Sequence, residues 1–277
     1  MPEGPECASI TDGLRLLLVG QSINLIGMVP WKSSKFFRGL ELALSQITFP
    51  LFVERVDCKG KQIFFIFRDA SDKHWYALSN LGMTGFWSSE EESHAHLDFQ
   101  LENSTHVYYC DARRIGNFVL TNNKSHFQGV LDELAPSILG HDEICTEEIF
   151  ATRLQACKQK YLVPCLMDQH LICSGIGNYL LSEVLYATRL HPETRCHQLT
   201  SLQVQQLYHN IVAIMQQSYT TGGMSMKDYR KPDGSKGTYM FSLAVYNKTT
   251  TPDGHQVVKT TGKHQRSIFW DPLIQVV

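Results

Sequence analysis

The segment 173–192, with the sequence CSGIGNYLLSEVLYATRLHP, decides the fold of the second half of the chain. A glycine turn that contains Gly175 and Gly177 leads directly into an amphipathic helical pattern. Glycine lets the backbone approach a ligand closely, and the free N–H groups at a helix N-terminus bind anions such as phosphate. Asn178 adds a side-chain donor at the same point. Such a turn is weak evidence by itself, because it often serves only to reverse the chain.

The helical pattern continues on both sides of this segment. The preceding stretch VPCLMDQHLI, 163–172, is helical too, and a helix–turn–helix unit of this kind commonly grips the nucleic-acid backbone. The region of about 131–221 therefore predicts a helical domain. Its five helical segments are LDELAPSILG, TEEIFATRLQACKQKY, VPCLMDQHLI, NYLLSEVLYATRL and SLQVQQLYHNIVAIMQQSYTT.

The N-terminal half has the short apolar runs and turn residues that are typical of strands. After one predicted helix, these runs are QITFPLFVERVDCKGKQIFFIF, HWYALSNLGMTGFW, AHLDFQLE and HVYYCDARRIGNFVL. The polar stretch TNNKSHFQG, 121–129, is a candidate linker. The last 55 residues return to a strand-like pattern with a TPDG turn at 251–254, which predicts a hairpin.

These patterns predict an α+β fold with two domains. Residues 1–126 would form a two-sheet β-sandwich flanked by helices, and residues 127–277 would form the helical domain followed by a hairpin at about 238–277. A ligand-binding cleft would lie between the two domains.

The bulk composition is that of a soluble globular protein. Of the 277 residues, 43% are hydrophobic and 19% are charged, and no apolar run approaches the length of a membrane helix. The eight cysteines are scattered and no secretory signal precedes them, so we expect reduced thiols in an intracellular protein, nuclear if the source is eukaryotic. The net charge of −2 does not indicate nucleic-acid binding, but from residue 227 onward eight basic residues stand against four acidic ones.

The N-terminus, MPEGPECASITDGLRLLLVG, allows two interpretations. Pro2 fits the first turn of a helix, and Glu3 and Glu6 would face the positive end of its dipole. Removal of Met1 would instead leave Pro2 with a free secondary amine beside a carboxylate. An α-amine has a pKa of about 7.7–8.0, so a far larger fraction of it is nucleophilic at neutral pH than of a lysine side chain.

Six motifs in order decide between these interpretations. They are MPEGPE at 1–6, KGK at 59–61, LGMTG at 81–85, DARRIG at 111–116, MDQHLICSGIGNYLLSEVLYATRLHP at 167–192 and KHQRSIFW at 263–270. Together they resemble the formamidopyrimidine-DNA glycosylase/endonuclease VIII family of base-excision repair, over nearly the whole chain. The resemblance implies a bifunctional DNA glycosylase and AP lyase with a helix–two-turn–helix domain.

The resemblance also implies the catalytic residues. Pro2, once Met1 is removed, would attack the sugar carbon that bears the damaged base, and Glu3 would serve as general acid and base. Glu6 would support the site through hydrogen bonds. Lys61 would bind the phosphate next to the lesion; Lys59 is the competing candidate, and a solvated turn is the alternative.

A base inside a duplex must be flipped out before it can be attacked. Met83 resembles the family's wedge that fills the vacated space, with Arg113 facing the orphaned base and Arg114 on backbone phosphate. Ile115 stands where the family often has an aromatic residue, so it would act as an apolar wedge. The alternatives are core packing for Met83 and a solvated strand end for the arginines.

The remaining DNA contacts are expected from Gly175, Gly177 and Asn178 and from the hairpin, where Arg266 would lie at the tip with help from Lys263. The chain has no cysteine after Cys196, so a four-cysteine zinc site cannot form there and the hairpin resembles the zincless-finger branch. We expect no metal and no cofactor.

The substrate class stays open between two branches of the family. The start MPEGPE resembles the endonuclease VIII branch, which prefers oxidised pyrimidines, whereas the loop at 220–239 resembles the branch that excises oxidised purines. Hydantoins are accepted across the family, so the resemblance implies hydantoins beside oxidised pyrimidines as substrates. The expected partner is damaged duplex or single-stranded DNA, bound by a monomer away from membranes. Two other classes would explain less: a non-catalytic damage-binding protein would need neither Pro2 nor Lys61, and an RNA-associated helix–turn–helix protein would need neither Met83 nor Arg113.

Overall fold

The structure is a computed structural model, and it describes residues 2–28, 39–140, 143–224, 231–235, 237–262 and 266–276. The first half is one helix followed by an antiparallel sheet, with a short second helix after the first strand. The elements are α1 (Gly4–Leu18), β1 (Ser22–Met28), α2 (Leu40–Leu44), β2 (Leu51–Lys59), β3 (Gln62–Asp69), β4 (His74–Asn80), β5 (Gly85–Ser88), β6 (Ala95–Leu101), β7 (His106–Asp111) and β8 (Asn117–Thr121).

The eight strands form one sheet in the order β5-β7-β6-β1-β2-β3-β4-β8. Phe65 of β3 contacts Trp87 of β5 and Phe99 of β6, with ring centroids 5.4 and 6.2 Å apart. Because β1 and β2 separate β3 from β6 in the sheet, these contacts require the sheet to fold over on itself. The predicted α+β class with an N-terminal β-sandwich is confirmed, with its two layers joined as one continuous sheet.

The stretch 121–129, predicted as a polar break, contains most of a helix, α3 (Lys124–Glu133). Asn123 caps this helix by accepting a hydrogen bond from the His126 N–H at 3.0 Å. Phe127 packs against the outer face of the sheet, 4.8 Å from the ring of Tyr76 and 5.7 Å from that of Phe64. The helix is polar on its solvent face, which concealed its single apolar stripe. The predicted boundary between residues 126 and 127 falls inside it.

The helical domain consists of α4 (Glu147–Ala156), α5 (Leu162–Met167), α6 (Asn178–Ala187) and α7 (Ser201–Thr220). The helix predicted for VPCLMDQHLI ends at Met167, and residues 168–177 form the turns that connect α5 to α6. Helix α6 is the centre of the domain, because most of its residues are buried against α5, α7 and the C-terminal segment. None of the described helices is long and apolar enough to cross a membrane.

The C-terminal hairpin comprises β9 (Val258–Thr261) and β10 (Ser267–Trp270), which pair in antiparallel register. It docks on α6, where the Phe269 N–H donates to the Ser182 hydroxyl at 3.3 Å. The buried carboxylate of Glu183 accepts three backbone N–H bonds of 2.8 to 3.0 Å from residues 244–246, the segment that leads toward the hairpin. Helix α6 therefore positions both the glycine turn and the hairpin.

Candidate active site and DNA-binding surface

The carboxylate of Glu3 occupies the N-terminus of α6. Its oxygens accept N–H bonds from Gly177 at 2.7 Å, Tyr179 at 3.0 Å and Leu180 at 3.3 Å. The side chain is only 4% exposed. A residue from the start of the chain thus caps a helix that begins 175 positions later, and the neighbouring Pro2 is buried beside it. Glu3 therefore lies directly on the predicted phosphate-binding turn, and Pro2 precedes it in the chain.

Burial raises the pKa of the Glu3 carboxyl from its ordinary value of 4.5 to about 7, and the positive charge of Lys61 opposes part of that rise. A carboxyl group with a pKa near neutrality can both donate and accept a proton at physiological pH, which suits a general acid and base.

Three glycines allow the two halves of the molecule to approach this closely. The Gly4 N–H donates to the Gly175 carbonyl at 2.8 Å, and a Cβ on Gly4 would lie 3.1 Å from the Gly175 Cα. Gly60, with φ of +59°, lies against Ser174, where a Cβ would come within 2.6 Å of the serine Cβ. Side chains at these positions would separate α1 and the β2–β3 turn from the turn before α6.

Glu6 ties the same region to α7 and the following loop. Its carboxylate accepts bonds from the Glu3 N–H at 2.8 Å, the Tyr179 hydroxyl at 2.9 Å and the Met224 N–H at 2.7 Å. Burial raises its pKa, and the bond from Met224 opposes the rise. The Tyr179 hydroxyl also lies 3.0 Å from that of buried Ser218. Tyr179 and Ser218 were not predicted, because neither stands out in sequence.

The two lysines of the KGK turn have different surroundings. Lys61 Nζ donates to the Ile176 carbonyl at 2.6 Å, and burial lowers its pKa while the negative charge of Glu3 opposes the change. Lys59 Nζ instead forms an ion pair of 2.6 Å with Glu143. The structure therefore brings Lys61, and not Lys59, to the carboxylate of Glu3.

Gln169 fixes the turn to which Lys61 binds, and sequence reasoning missed it. Its amide donates to the Ile176 carbonyl at 3.1 Å and accepts the Gly175 N–H at 2.7 Å. Asn178 begins α6, and its Oδ1 is buried without a hydrogen-bond partner among the described residues. That unsatisfied acceptor lies beside the Glu3-capped helix terminus.

Met83, Arg113 and Ile115 form a second, exposed group. Met83 is 45% exposed and Ile115 is 49% exposed, which is inconsistent with core packing of Met83. Arg113 Nη1 lies 3.5 Å from the Met83 sulfur. Arg114 has φ of +55°, in the left-handed region, so the loop turns sharply at this point.

Arg266 lies exposed in the connection between β9 and β10, next to the first residue of β10. Its charge contributes to lowering the pKa of Lys61, so the hairpin lies within electrostatic reach of the buried cluster. The predicted contact Lys263 lies outside the described residues, as does Met1.

Comparison with known proteins finds the same family for both halves of the chain. Residues 1–118 match the formamidopyrimidine-DNA glycosylase N-terminal domain, and residues 134–230 match the formamidopyrimidine-DNA glycosylase H2TH domain. The formamidopyrimidine-DNA glycosylase of Streptococcus agalactiae is 30% identical over 261 residues, covering 91% of this chain and 90% of the relative. That of Enterococcus faecalis is 29% identical over 274 residues, covering 94% and 92%.

Solved structures show the same architecture. The complex of the LlFpg protein with a THF-DNA and an inhibitor has a TM-score of 0.84 and 25% identity, and the match covers 100% of both chains. MutM in complex with carbocyclic 8-oxo-G containing DNA has a TM-score of 0.81 and 24% identity, again over 100% of both chains.

Proposed function

This chain belongs to the formamidopyrimidine-DNA glycosylase family, and on that premise we propose that it is a bifunctional base-excision repair enzyme, a DNA glycosylase with AP lyase activity. The observation that carries the proposal is the placement of Glu3 and Lys61 together at the N-terminus of α6, beside Pro2. A buried carboxyl with a pKa near neutrality is more typical of a catalytic site than of a plain DNA-binding module.

The first step is base removal. With Met1 removed, the secondary amine of Pro2 attacks the sugar carbon C1′, and the bond from C1′ to the base breaks. Glu3 protonates the departing base, accepts the proton lost from the proline nitrogen and passes that proton to the sugar ring oxygen as the ring opens. The product is a cationic iminium that joins Pro2 to the opened sugar.

The second step is strand cleavage. The iminium withdraws electrons, so that loss of a proton from C2′ expels the 3′ phosphate, and a further elimination expels the 5′ phosphate. Water then hydrolyses the iminium and frees Pro2. Lys61, whose ammonium group lies at the turn before α6, stabilises the negative charge that develops on the leaving phosphate.

DNA binding involves the surfaces around this cluster. Asn178 binds phosphate at the lesion, and Arg266, with Lys263, binds the flanking backbone. The N–H groups of Gly175 and Gly177, which the sequence predicts as phosphate donors, are already donated to Gln169 and Glu3, so these glycines let the chain pass close to the DNA rather than bind it. The exposed Met83 and Ile115 fill the space left by the flipped base. Arg113 faces the unpaired base on the opposite strand, and Arg114 binds backbone phosphate. The enzyme acts as a monomer.

The hairpin is a zincless finger of the endonuclease VIII-like branch. Its strand β10 is anchored to the Ser182 hydroxyl on α6, and the Glu183 carboxylate on the same helix holds residues 244–246, which precede the hairpin. We assign the substrates as oxidised pyrimidines and hydantoins, following the N-terminal motif, and oxidised purines are the alternative that the following experiment separates.

The test is single-turnover incubation with duplexes that each carry one dihydrouracil, one hydantoin or one 8-oxoguanine, followed by analysis of base release and strand products. We expect excision of the first two with loss of both flanking phosphates. Glu3→Gln should lose base excision by about 10²- to 10⁴-fold, the usual contribution of a general acid or base. An N-terminal extension that prevents exposure of Pro2 should abolish both steps while DNA is still bound. Tight lesion binding without cleavage of any duplex would identify a damage-binding protein instead.

A further inference from the structure

We propose that Asp111 is the positioning residue that holds Met83, Arg113 and Ile115 together as one rigid wedge. This inference rests on the proposed function, since it concerns the step in which the wedge enters duplex DNA. Asp111 is the last residue of β7 and has 0% exposure, so it does not touch DNA itself.

The carboxylate of Asp111 is fully used in binding the two turns of the wedge. Its Oδ1 accepts from the Thr84 hydroxyl at 2.5 Å and the Arg113 N–H at 3.1 Å. Its Oδ2 accepts from the Ile115 N–H at 2.9 Å and the Gly116 N–H at 2.8 Å. One buried side chain thus bonds to both segments that carry exposed wedge residues.

These two segments lie far apart in sequence, and strand pairing joins them only at their ends, where Asn80 pairs with Asn117 and Gly85 with Asp111. Thr84 follows Met83 in the turn between β4 and β5, whereas residues 112–116 connect β7 to β8. The Arg113 N–H also donates to the Thr84 hydroxyl at 3.2 Å, so that Thr84, Arg113 and Asp111 are all bonded to one another. Gly82 lies directly against the second turn, since a Cβ there would be 2.7 Å from the Gly116 nitrogen.

The wedge side chains need fixed turns beneath them because Met83 and Ile115 are half exposed to solvent and have few neighbours to restrain them. A mobile side chain that enters the base stack must be ordered at that moment, which weakens insertion, whereas a preorganised one does not. The left-handed backbone at Arg114 is a strained conformation that requires local bonds to persist. The bonds from Ile115 and Gly116 to Asp111 supply that constraint.

The test uses Asp111→Asn and Thr84→Val, with Thr84→Ser as the conservative variant. In either orientation, the amide nitrogen of the asparagine would face backbone N–H donors, so at least one bond becomes a repulsion. Thr84→Val removes the hydroxyl that joins the two turns and leaves the carboxylate in place. Thr84→Ser keeps the hydroxyl and should behave like the wild type.

Asp69→Asn is the matched control. Asp69 is also a buried aspartate, and it accepts four bonds, from Ser71 (N–H and hydroxyl), Lys73 and Trp75. It holds the turn between β3 and β4, at the opposite end of β3 from Lys61 and roughly 26 Å away along the strand. That turn carries none of the wedge residues.

Two substrates separate positioning from general damage to the fold. One is a duplex with a single abasic site opposite 2-aminopurine, whose fluorescence reports insertion; the other is the same abasic strand without its complement, which needs no wedge. We expect Asp111→Asn to slow strand cleavage in the duplex by about 10²-fold, the loss that a misplacement of about 1 Å can cause. Thr84→Val should lose less, and cleavage of the single strand should stay within about threefold of wild type for both.

The inference is overturned if Asp111→Asn and Thr84→Val slow both substrates equally, as Asp69→Asn would if it destabilised the protein. It is also overturned if the 2-aminopurine signal and the duplex rate stay at wild-type values. If the wild-type chain cleaves neither substrate, the proposed function has failed, and the fluorescence change on binding still decides whether Asp111 controls insertion. If Asp111→Asn does not fold, the same test is made by comparing the duplex and single-strand cleavage rates of Thr84→Val with those of Thr84→Ser.

Discussion

Gly177→Ala is the substitution that most sharply tests the placement of Glu3. The backbone at Gly177 has φ of −136°, which an alanine can adopt, so the effect is steric and not conformational. A Cβ at this position would lie 2.8 Å from the Cγ of Glu3 and closer still to its carboxyl group, whereas ordinary contact begins near 3.4 Å. The added methyl group therefore pushes the carboxylate off the N-terminus of α6.

The expected loss follows from that geometry. Relief of the clash requires the carboxyl group to retreat by about 1 Å, and a misplacement of that size at a catalytic group can cost about 10²-fold in rate. That factor corresponds to about 2.7 kcal/mol of transition-state stabilisation. Gly177→Ala should therefore slow base excision by about 100-fold.

The assay is single-turnover base excision in a double-mutant cycle with Glu3→Gln. If Gly177→Ala acts only through Glu3, the double variant should be no slower than Glu3→Gln alone. Gly129→Ala is the control, because a Cβ on Gly129 meets no atom within 4 Å and the residue lies in helix α3. A wild-type rate for Gly177→Ala, or losses that simply add in the double variant, would refute the assignment of Glu3 to this helix terminus.

Three further predictions follow from the same cluster. Lys61→Gln should slow strand cleavage at an abasic site by about 10²- to 10³-fold, whereas Lys59→Gln should not; equal effects would contradict the distinction between them. Because burial raises the pKa of Glu3 to about 7, the carboxyl ionises in the unfolded chain before it does so in the folded one, and folding stability falls as pH rises from 4.5 to 7. The measurement is urea denaturation at pH 5 and pH 8, in N-terminally extended chains with Glu3 or with Glu3→Gln. Between pH 5 and pH 8 the free energy of unfolding of the chain with Glu3 should fall by about 2 to 3 kcal/mol more than that of Glu3→Gln. An equal change in both chains would contradict this. Tyr179→Phe should lower the free energy of unfolding by about 1 to 3 kcal/mol, since Glu6 loses a buried donor; an unchanged urea midpoint would show that the bond contributes nothing.

The α+β fold class could be predicted from the sequence because the patterns that indicate helices and strands involve only neighbouring residues. Short apolar runs bounded by turn residues are properties of neighbouring residues, and the glycine turn before α6 has its own composition. Helix α3 was missed for the same reason, because its apolar face is formed mainly by Phe127 and Leu131 and the stretch otherwise reads as polar. The end of α5 at Met167 depends on the turn at residues 168–177 and not on helix propensity.

The site was predictable only where a motif marks it. The capping of α6 by Glu3 joins residues more than 170 positions apart, and no periodicity records such a contact. In the sequence Tyr179 is indistinguishable from any other apolar residue of a helix, and its role follows only from the hydrogen bond of its hydroxyl to Glu6. Asp111 and Thr84 lie inside recognised motifs, yet their shared hydrogen bond appears only once two distant turns are brought together.

The measurement that tests the central claim most directly is borohydride reduction of the complex with DNA carrying one abasic site, followed by mass mapping of the cross-linked peptide. Reduction converts the transient iminium into a stable amine, so the attachment site identifies the nucleophile. The account predicts attachment at the nitrogen of Pro2 in a chain that has lost Met1, and none in the N-terminally extended chain. Attachment at Lys61, or tight binding of the abasic DNA without any adduct, would contradict it.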